Sequence, residues 1–148
     1  MTWRAVLAFL LLPGIVAYLV PYLMAPAALE RASWQWLGAL LLAAGSVALL
    51  RCAREFRTRG EGTLAPWSPP RRLVTTGLYR RSRNPMYVAV LVVLIGWSVW
   101  YRSLALGLYT VAVAGAFHLR VLLYEEPKLE ETFGAEWRGY RERVRRWL

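Results

Sequence analysis

Four stretches of this chain carry no charged residue, and each is long enough to need an apolar surrounding over most of its length. They cover residues 5–24, 34–50, 86–101 and 103–119, which is 20, 17, 16 and 17 residues. A helix rising 1.5 Å per residue needs about 20 apolar residues to cross a hydrocarbon core of ~30 Å. The first run meets that length. The last two lie near the lower limit, so their ends are expected within the headgroup region. The chain is 57% hydrophobic and 19% charged, with a mean hydropathy of +0.33. Soluble domains carry about a quarter charged residues, and disordered chains need low hydrophobicity. Cys52 is the only cysteine, so a disulfide scaffold is excluded. The expectation is one all-α domain over residues 1–148, an integral membrane bundle of four transmembrane helices.

The first run contains Pro13 and Pro21, which a membrane helix accepts when neighbouring groups satisfy the freed carbonyls. It exceeds the 7–15 residues of a signal-peptide core, so it is expected to be retained as a span. Arg102 alone separates the third and fourth runs, predicting a tight helical hairpin. Seventeen of the nineteen basic residues fall outside the hairpin tip and the 25–33 loop, where only Arg31 and Arg102 lie. Basic residues are retained on the cytoplasmic side, which predicts an N-in, C-in topology in a bacterial or archaeal inner membrane. The net charge of +10 lies where a membrane protein places its arginines, and no nucleic-acid motif accompanies it. Anionic lipid headgroups are the expected partner.

Two polar segments are more specified than a solvated loop requires. The first is Leu73-Val74-Thr75-Thr76-Gly77-Leu78-Tyr79-Arg80-Arg81-Ser82-Arg83-Asn84-Pro85-Met86-Tyr87. Asn84-Pro85 is a helix start, with asparagine as the cap and proline in the first turn. A helix N-terminus beside several guanidinium groups also suits an anionic ligand. The irregular 67–70 stretch upstream is expected along the membrane surface. The second segment, Leu123-Tyr124-Glu125-Glu126-Pro127-Lys128-Leu129, follows the fourth run and puts two carboxylates where the helix dipole favours cations. Either Pro127 opens a new helix that the glutamates decorate, or the pair faces a pocket and binds an ammonium, a sulfonium or ribose hydroxyls. Phe133, Trp137, Tyr140 and Val144 follow at spacings of three to four, giving a C-terminal amphipathic helix able to cover a site.

Together these elements resemble an integral-membrane methyltransferase superfamily that includes isoprenylcysteine carboxyl methyltransferases and phospholipid N-methyltransferases. The resemblance covers roughly residues 70–146, about half the chain. It implies an enzyme that uses S-adenosylmethionine, releases S-adenosylhomocysteine and methylates a lipid or lipidated substrate entering from the bilayer, without a metal. It implies a cofactor site formed by Gly77, Leu78, Tyr79, Asn84, Pro85, Tyr124, Glu125 and Glu126, near the cytosolic ends of the last two spans. Arg83, Asn84 and Tyr87 fall at active-site positions, and Arg80, Arg81 and Arg120 are candidates for the substrate's phosphate or carboxylate. Asn84 stands where isoprenylcysteine enzymes usually carry histidine, as in phospholipid N-methyltransferases, and the Met86-Tyr87 and Tyr124-Glu125-Glu126-Pro127 elements lean the same way. Val121 stands where isoprenylcysteine enzymes place an arginine, with Arg120 one position off, which argues against a carboxylate-methylating role. The 133–140 tail leans towards the isoprenylcysteine-like bacterial branch.

The rival classes are a small four-span exporter, whose size and span count fit, a membrane reductase with a related helical core, and a non-catalytic lipid-binding or assembly factor on the same scaffold. A proton-coupled four-span exporter needs a carboxylate within a span. None of the nine glutamates lies in an uncharged run, and the chain has no aspartate. A membrane reductase of the steroid-reductase type would respond to NADPH instead of a methyl donor. His118, the only histidine, is expected to hydrogen-bond a neighbouring helix.

Overall fold

The computed structural model describes residues 10–26, 33–60 and 72–148, with side chains from residue 13 onward in the first stretch. Residues 5–9 of the first run and the 67–70 stretch lie outside the described residues. Among those described, the fold is helical, with an isolated bridge between Ser82 and Arg145. A π-helical segment, Leu10–Leu19, leads into the short α1, Val20–Met24. Then come α2, Gln35–Arg59, a 3-10 turn, Gly77–Arg80, and α3, Pro85–Tyr101. The chain continues through α4, Leu104–Arg120, a π-turn, Val121–Glu125, and α5, Glu126–Arg143.

By length and composition, two helical stretches are apolar enough to cross a membrane: Gln35–Arg59 and the continuous Leu104–Arg143. Pro13–Met24 and Pro85–Tyr101 are apolar but shorter. Large apolar side chains point outward along these helices, including Leu40, Leu50, Leu104, Leu108 and Val111. An exterior of this kind needs an apolar surrounding.

Pro21 of the first helix is accommodated as the sequence requires. Pro21 has no N–H to offer the carbonyls one turn before it. Those acceptors are met from other helices instead: Trp97 Nε1 donates to Ala17 O at 3.0 Å, and Tyr109 Oη to Val16 O at 3.1 Å. Ala17 is fully buried, so its carbonyl has no recourse to water. Replacing Trp97 by phenylalanine should therefore destabilise the protein by about 1–3 kcal/mol. Thermal unfolding in detergent would register this, and an unchanged midpoint would mean the indole N–H is dispensable.

Packing between α2 and α3 dominates the interior. Gly38 and Gly45 on α2, and Gly96 on α3, sit where the two backbones approach closely. Leu49, Ala89, Val90, Val93, Leu94 and Ala17 form the buried core between them. The hairpin after α3 turns on Arg102, which adopts the left-handed conformation at φ 47°. Ser103 then caps α4 by accepting from Leu106 N at 3.3 Å, while the Arg102 guanidinium lies 4.5 Å from the Trp34 ring centroid. The one-residue break is thus a real hairpin.

The fourth run does not stop before its glutamates. The chain stays helical from Leu104 to Arg143, shifting register through the π-turn. Pro127 has no N–H for an i→i−4 bond, and Glu126 N–H reaches back five residues to Val121 O. Such insertions are frequent at functional sites. The C-terminal amphipathic helix is therefore an extension of the fourth helix, kinked at Gly134, where φ is 48° and ψ −116°.

Candidate active site

The polar turn before α3 and the acidic pair after α4 meet at one end of the bundle. Their meeting point is a buried ion cluster. Arg83 Nη1 donates to Glu126 Oε1 at 2.8 Å, with both side chains about nine-tenths buried. Arg146 binds the same carboxylate on two atoms, Nε to Oε1 and Nη2 to Oε2, both at 2.9 Å. A bidentate guanidinium–carboxylate pair is among the stronger charge-assisted contacts. Burial pulls the Arg83 guanidinium below the ordinary arginine value, and Glu126 pulls it back up. The hydrogen bonds to Glu126 raise Arg146.

Beside it lies a second cluster. Tyr87 Oη donates to Glu125 Oε1, and Arg120 Nε donates to the same oxygen at 2.8 Å and to Tyr87 Oη at 3.2 Å. Both contacts on Glu125 fall on Oε1, leaving Oε2 without a protein donor among the described residues. The Phe117 ring packs on Tyr87 at a centroid distance of 4.3 Å. Arg120 lies 5.7 Å from the Tyr124 ring, which is exposed. The adjacent carboxylates therefore do not act as a pair: successive helical positions point to different sides, and each glutamate enters its own network.

The segment after α5 closes over this end. Arg83 N donates to Arg145 O at 2.8 Å, and the Arg146 carbonyl accepts from Asn84 Nδ2 at 3.0 Å and from Ser82 Oγ at 3.3 Å. The Asn84 side chain does not cap α3, contrary to the expectation from Asn84-Pro85. Its amide is committed to the 144–148 segment, and Ser82 Oγ accepts from Asn84 N at 3.1 Å instead. Pro85 is buried in the first turn of α3.

The Gly77–Arg80 turn is fixed from two sides. Gly77 has φ +59°, a left-handed conformation that favours glycine, and a Cβ there would sit 3.0 Å from the Glu55 carboxylate carbon, which would have to give way. Glu55 also accepts from Thr76 Oγ1 at 2.8 Å and pairs with Arg59 at 3.1 Å. Tyr79 is buried against Cys52 and Val74, with Leu78 packed on the same cluster. Its carbonyl accepts from Tyr140 Oη at 2.7 Å, and burial raises the Tyr79 phenol well above its usual value. Arg80 and Arg81 are exposed on the turn and do not join either carboxylate cluster. His118 stacks on Trp147 at 6.0 Å between ring centroids.

The sequence reading did not single out Arg146, Ser82, Glu55 or Trp137 as site residues. Arg146 is one of several arginines in a basic tail, and Glu55 is one acid among arginines on α2; no spacing sets either apart. Trp137 was legible only as part of an amphipathic stripe. It is 2% exposed and lies under Arg83, whose guanidinium carbon is 5.6 Å from the ring centroid.

Among the described residues, a helical body with a lipid-compatible exterior and a buried ionic end defines the class: a membrane-type helical protein with a polar site. Residues 33–136 match the phospholipid methyltransferase family, and the chain belongs to that family. It is accordingly a methyltransferase of the membrane superfamily. A 63-residue segment is 33% identical to an uncharacterized protein of Haemophilus influenzae, covering 43% of this chain and all of that protein. No solved structure matches the chain.

Proposed function

We propose that this protein is an S-adenosylmethionine-dependent methyltransferase that modifies the amine headgroup of a membrane phospholipid, with its site facing the cytosol from a four-span bundle. The observation that carries this reading is the convergence of Arg83 on Glu126 and of Tyr87 on Glu125, between two segments some forty residues apart in sequence. Asn84, where isoprenylcysteine enzymes usually carry histidine, supports the phospholipid branch by resemblance.

The donor set fits the cofactor's amino-acid end, which bears one ammonium and one carboxylate. Among the described residues, Glu125 has an oxygen without a protein donor, and Arg83 has a buried Nε without a protein acceptor. When bound, S-adenosylmethionine supplies a methyl group activated by the positive charge on its sulfur. The residues around it have to bind, orient and exclude water. Glu125 would hold the ammonium or ribose end, and Arg83 a carboxylate or phosphate, since guanidinium suits both. Asn84 and Tyr87 would orient the reacting end. α5 and the 144–148 segment keep bulk water from the cluster. Alignment of the reactants at ~3–3.5 Å supplies several kcal/mol of the barrier in such displacements. The acceptor amine has to be deprotonated before it attacks the methyl group.

Calorimetry on the purified protein tests this directly. S-Adenosylhomocysteine should bind, and binding should weaken at least tenfold in Glu125→Gln and Asn84→Ala variants that unfold at near-normal temperature. Equal affinity in such variants would remove these residues from the site. Incubation with radiolabelled methyl donor and fractionated lipids would then show which lipid acquires the label; phosphatidylethanolamine is the expected one.

A further inference from the structure

Two buried donors in the cluster have no protein acceptor among the described residues: Arg83 Nε and Trp137 Nε1. They belong to side chains that pack on one another, with the guanidinium carbon 5.6 Å from the indole centroid. Neither side chain can turn to solvent, since Arg83 is 8% and Trp137 2% exposed. Buried polar atoms are nearly always partnered, and two unmet donors on side chains packed together call for an acceptor. The local charge points the same way. Arg83 and Arg146 share the single carboxylate of Glu126, and Arg141 adds further repulsion on Arg83. A water molecule or carbonyl would satisfy the N–H groups but leave the positive excess. An oxyanion satisfies both.

We infer that Arg83 Nε and Trp137 Nε1 form an oxyanion subsite beneath α5, taking one carboxylate or phosphate group. The inference rests on the methyltransferase reading for its two sources of such a group: the carboxylate of the methyl donor, or the phosphate of the lipid headgroup. Trp137 thereby becomes a ligand-binding residue, where the sequence offered only an apolar position on an amphipathic helix. Its indole is suited to this, being a donor that accepts nothing and therefore does not repel an anion.

The test compares Trp137→Phe, which keeps a ring but lacks the N–H, with the wild-type chain in detergent. Calorimetric probes are S-adenosylhomocysteine, 5′-methylthioadenosine (which lacks the amino-acid end) and a short-chain phosphatidylethanolamine. A carboxylate occupant predicts about tenfold or greater weakening for S-adenosylhomocysteine, with methylthioadenosine unchanged, the loss expected for one hydrogen bond to a charged group. A phosphate occupant predicts the same weakening for the phospholipid alone. Arg83→Lys, which retains the charge but not Nε, should reproduce whichever pattern appears. Equal binding of all probes by wild type and Trp137→Phe would overturn the subsite and mean that water meets these donors. Uniform weakening of all three would overturn it as well, marking Trp137 as scaffold. A wild-type chain that binds none of the probes would overturn the methyltransferase reading and the subsite with it.

Discussion

Replacing Glu126 by alanine should destabilise the protein by about 3–5 kcal/mol, the usual result of removing one partner from a buried ion pair. The carboxylate meets Arg83 and Arg146 on three hydrogen bonds, and its removal leaves the Arg83 guanidinium buried beside a second cation. Arg146→Ala should be milder, because its side chain is 32% exposed and Arg83 still meets Glu126. Denaturant or thermal unfolding in detergent would rank the variants. A Glu126→Ala protein within about 1 kcal/mol of wild type would show that the cluster holds nothing together. The ranking also matters for function: loss of cofactor binding in Glu126→Ala is expected through the collapsed scaffold, so Glu125 is the cleaner probe of ligand contact.

The second large effect belongs to the glycines under the α2–α3 contact. A Cβ at Gly96 would lie 2.8 Å from Leu42 N, and one at Gly45 would lie 2.7 Å from Val93 Cγ2 and 2.9 Å from Val93 N. Backbone atoms cannot move aside without separating the helices. Gly96→Ala and Gly45→Ala should each cost about 1–3 kcal/mol from overpacking. Gly107 and Gly115 serve as controls, since a Cβ at either position meets nothing within 4 Å. There alanine should be neutral or stabilising by up to about 1 kcal/mol, through helix propensity alone. If all four variants unfold together, close approach is not what holds α2 on α3.

The two pairs of glycines show where sequence reading stops. Gly38, Gly45, Gly107 and Gly115 are alike as small residues in apolar runs, each suited to packing within or between chains. Only the neighbouring backbone distinguishes them, and it does so sharply. The glutamates teach a related lesson. Tyr124-Glu125-Glu126-Pro127 was legible as an unusual acidic element at the end of a helix, and its convergence with Arg83 and Tyr87 follows in the structure. That Glu126 faces inward to two arginines while Glu125 faces Tyr87 and Arg120 depends on the register shift across Val121–Glu125. Asn84 also departs from its local rule: a good cap by sequence, it gives its amide to the Arg146 carbonyl, 62 residues away.

Sequence alone determined what depends on composition and short-range spacing. The uncharged runs required an apolar surrounding, Arg102 set the hairpin, and the Arg83–Tyr87 and Tyr124–Glu126 elements marked the polar end. These are properties of neighbouring residues, so the order of amino acids carries them. Tertiary structure alone decided which arginine of many reaches Glu126, which helix supplies Ala17 and Val16 with donors, and that Trp137 lies under Arg83. Such pairings join residues tens of positions apart, through helix rotations that no local pattern encodes.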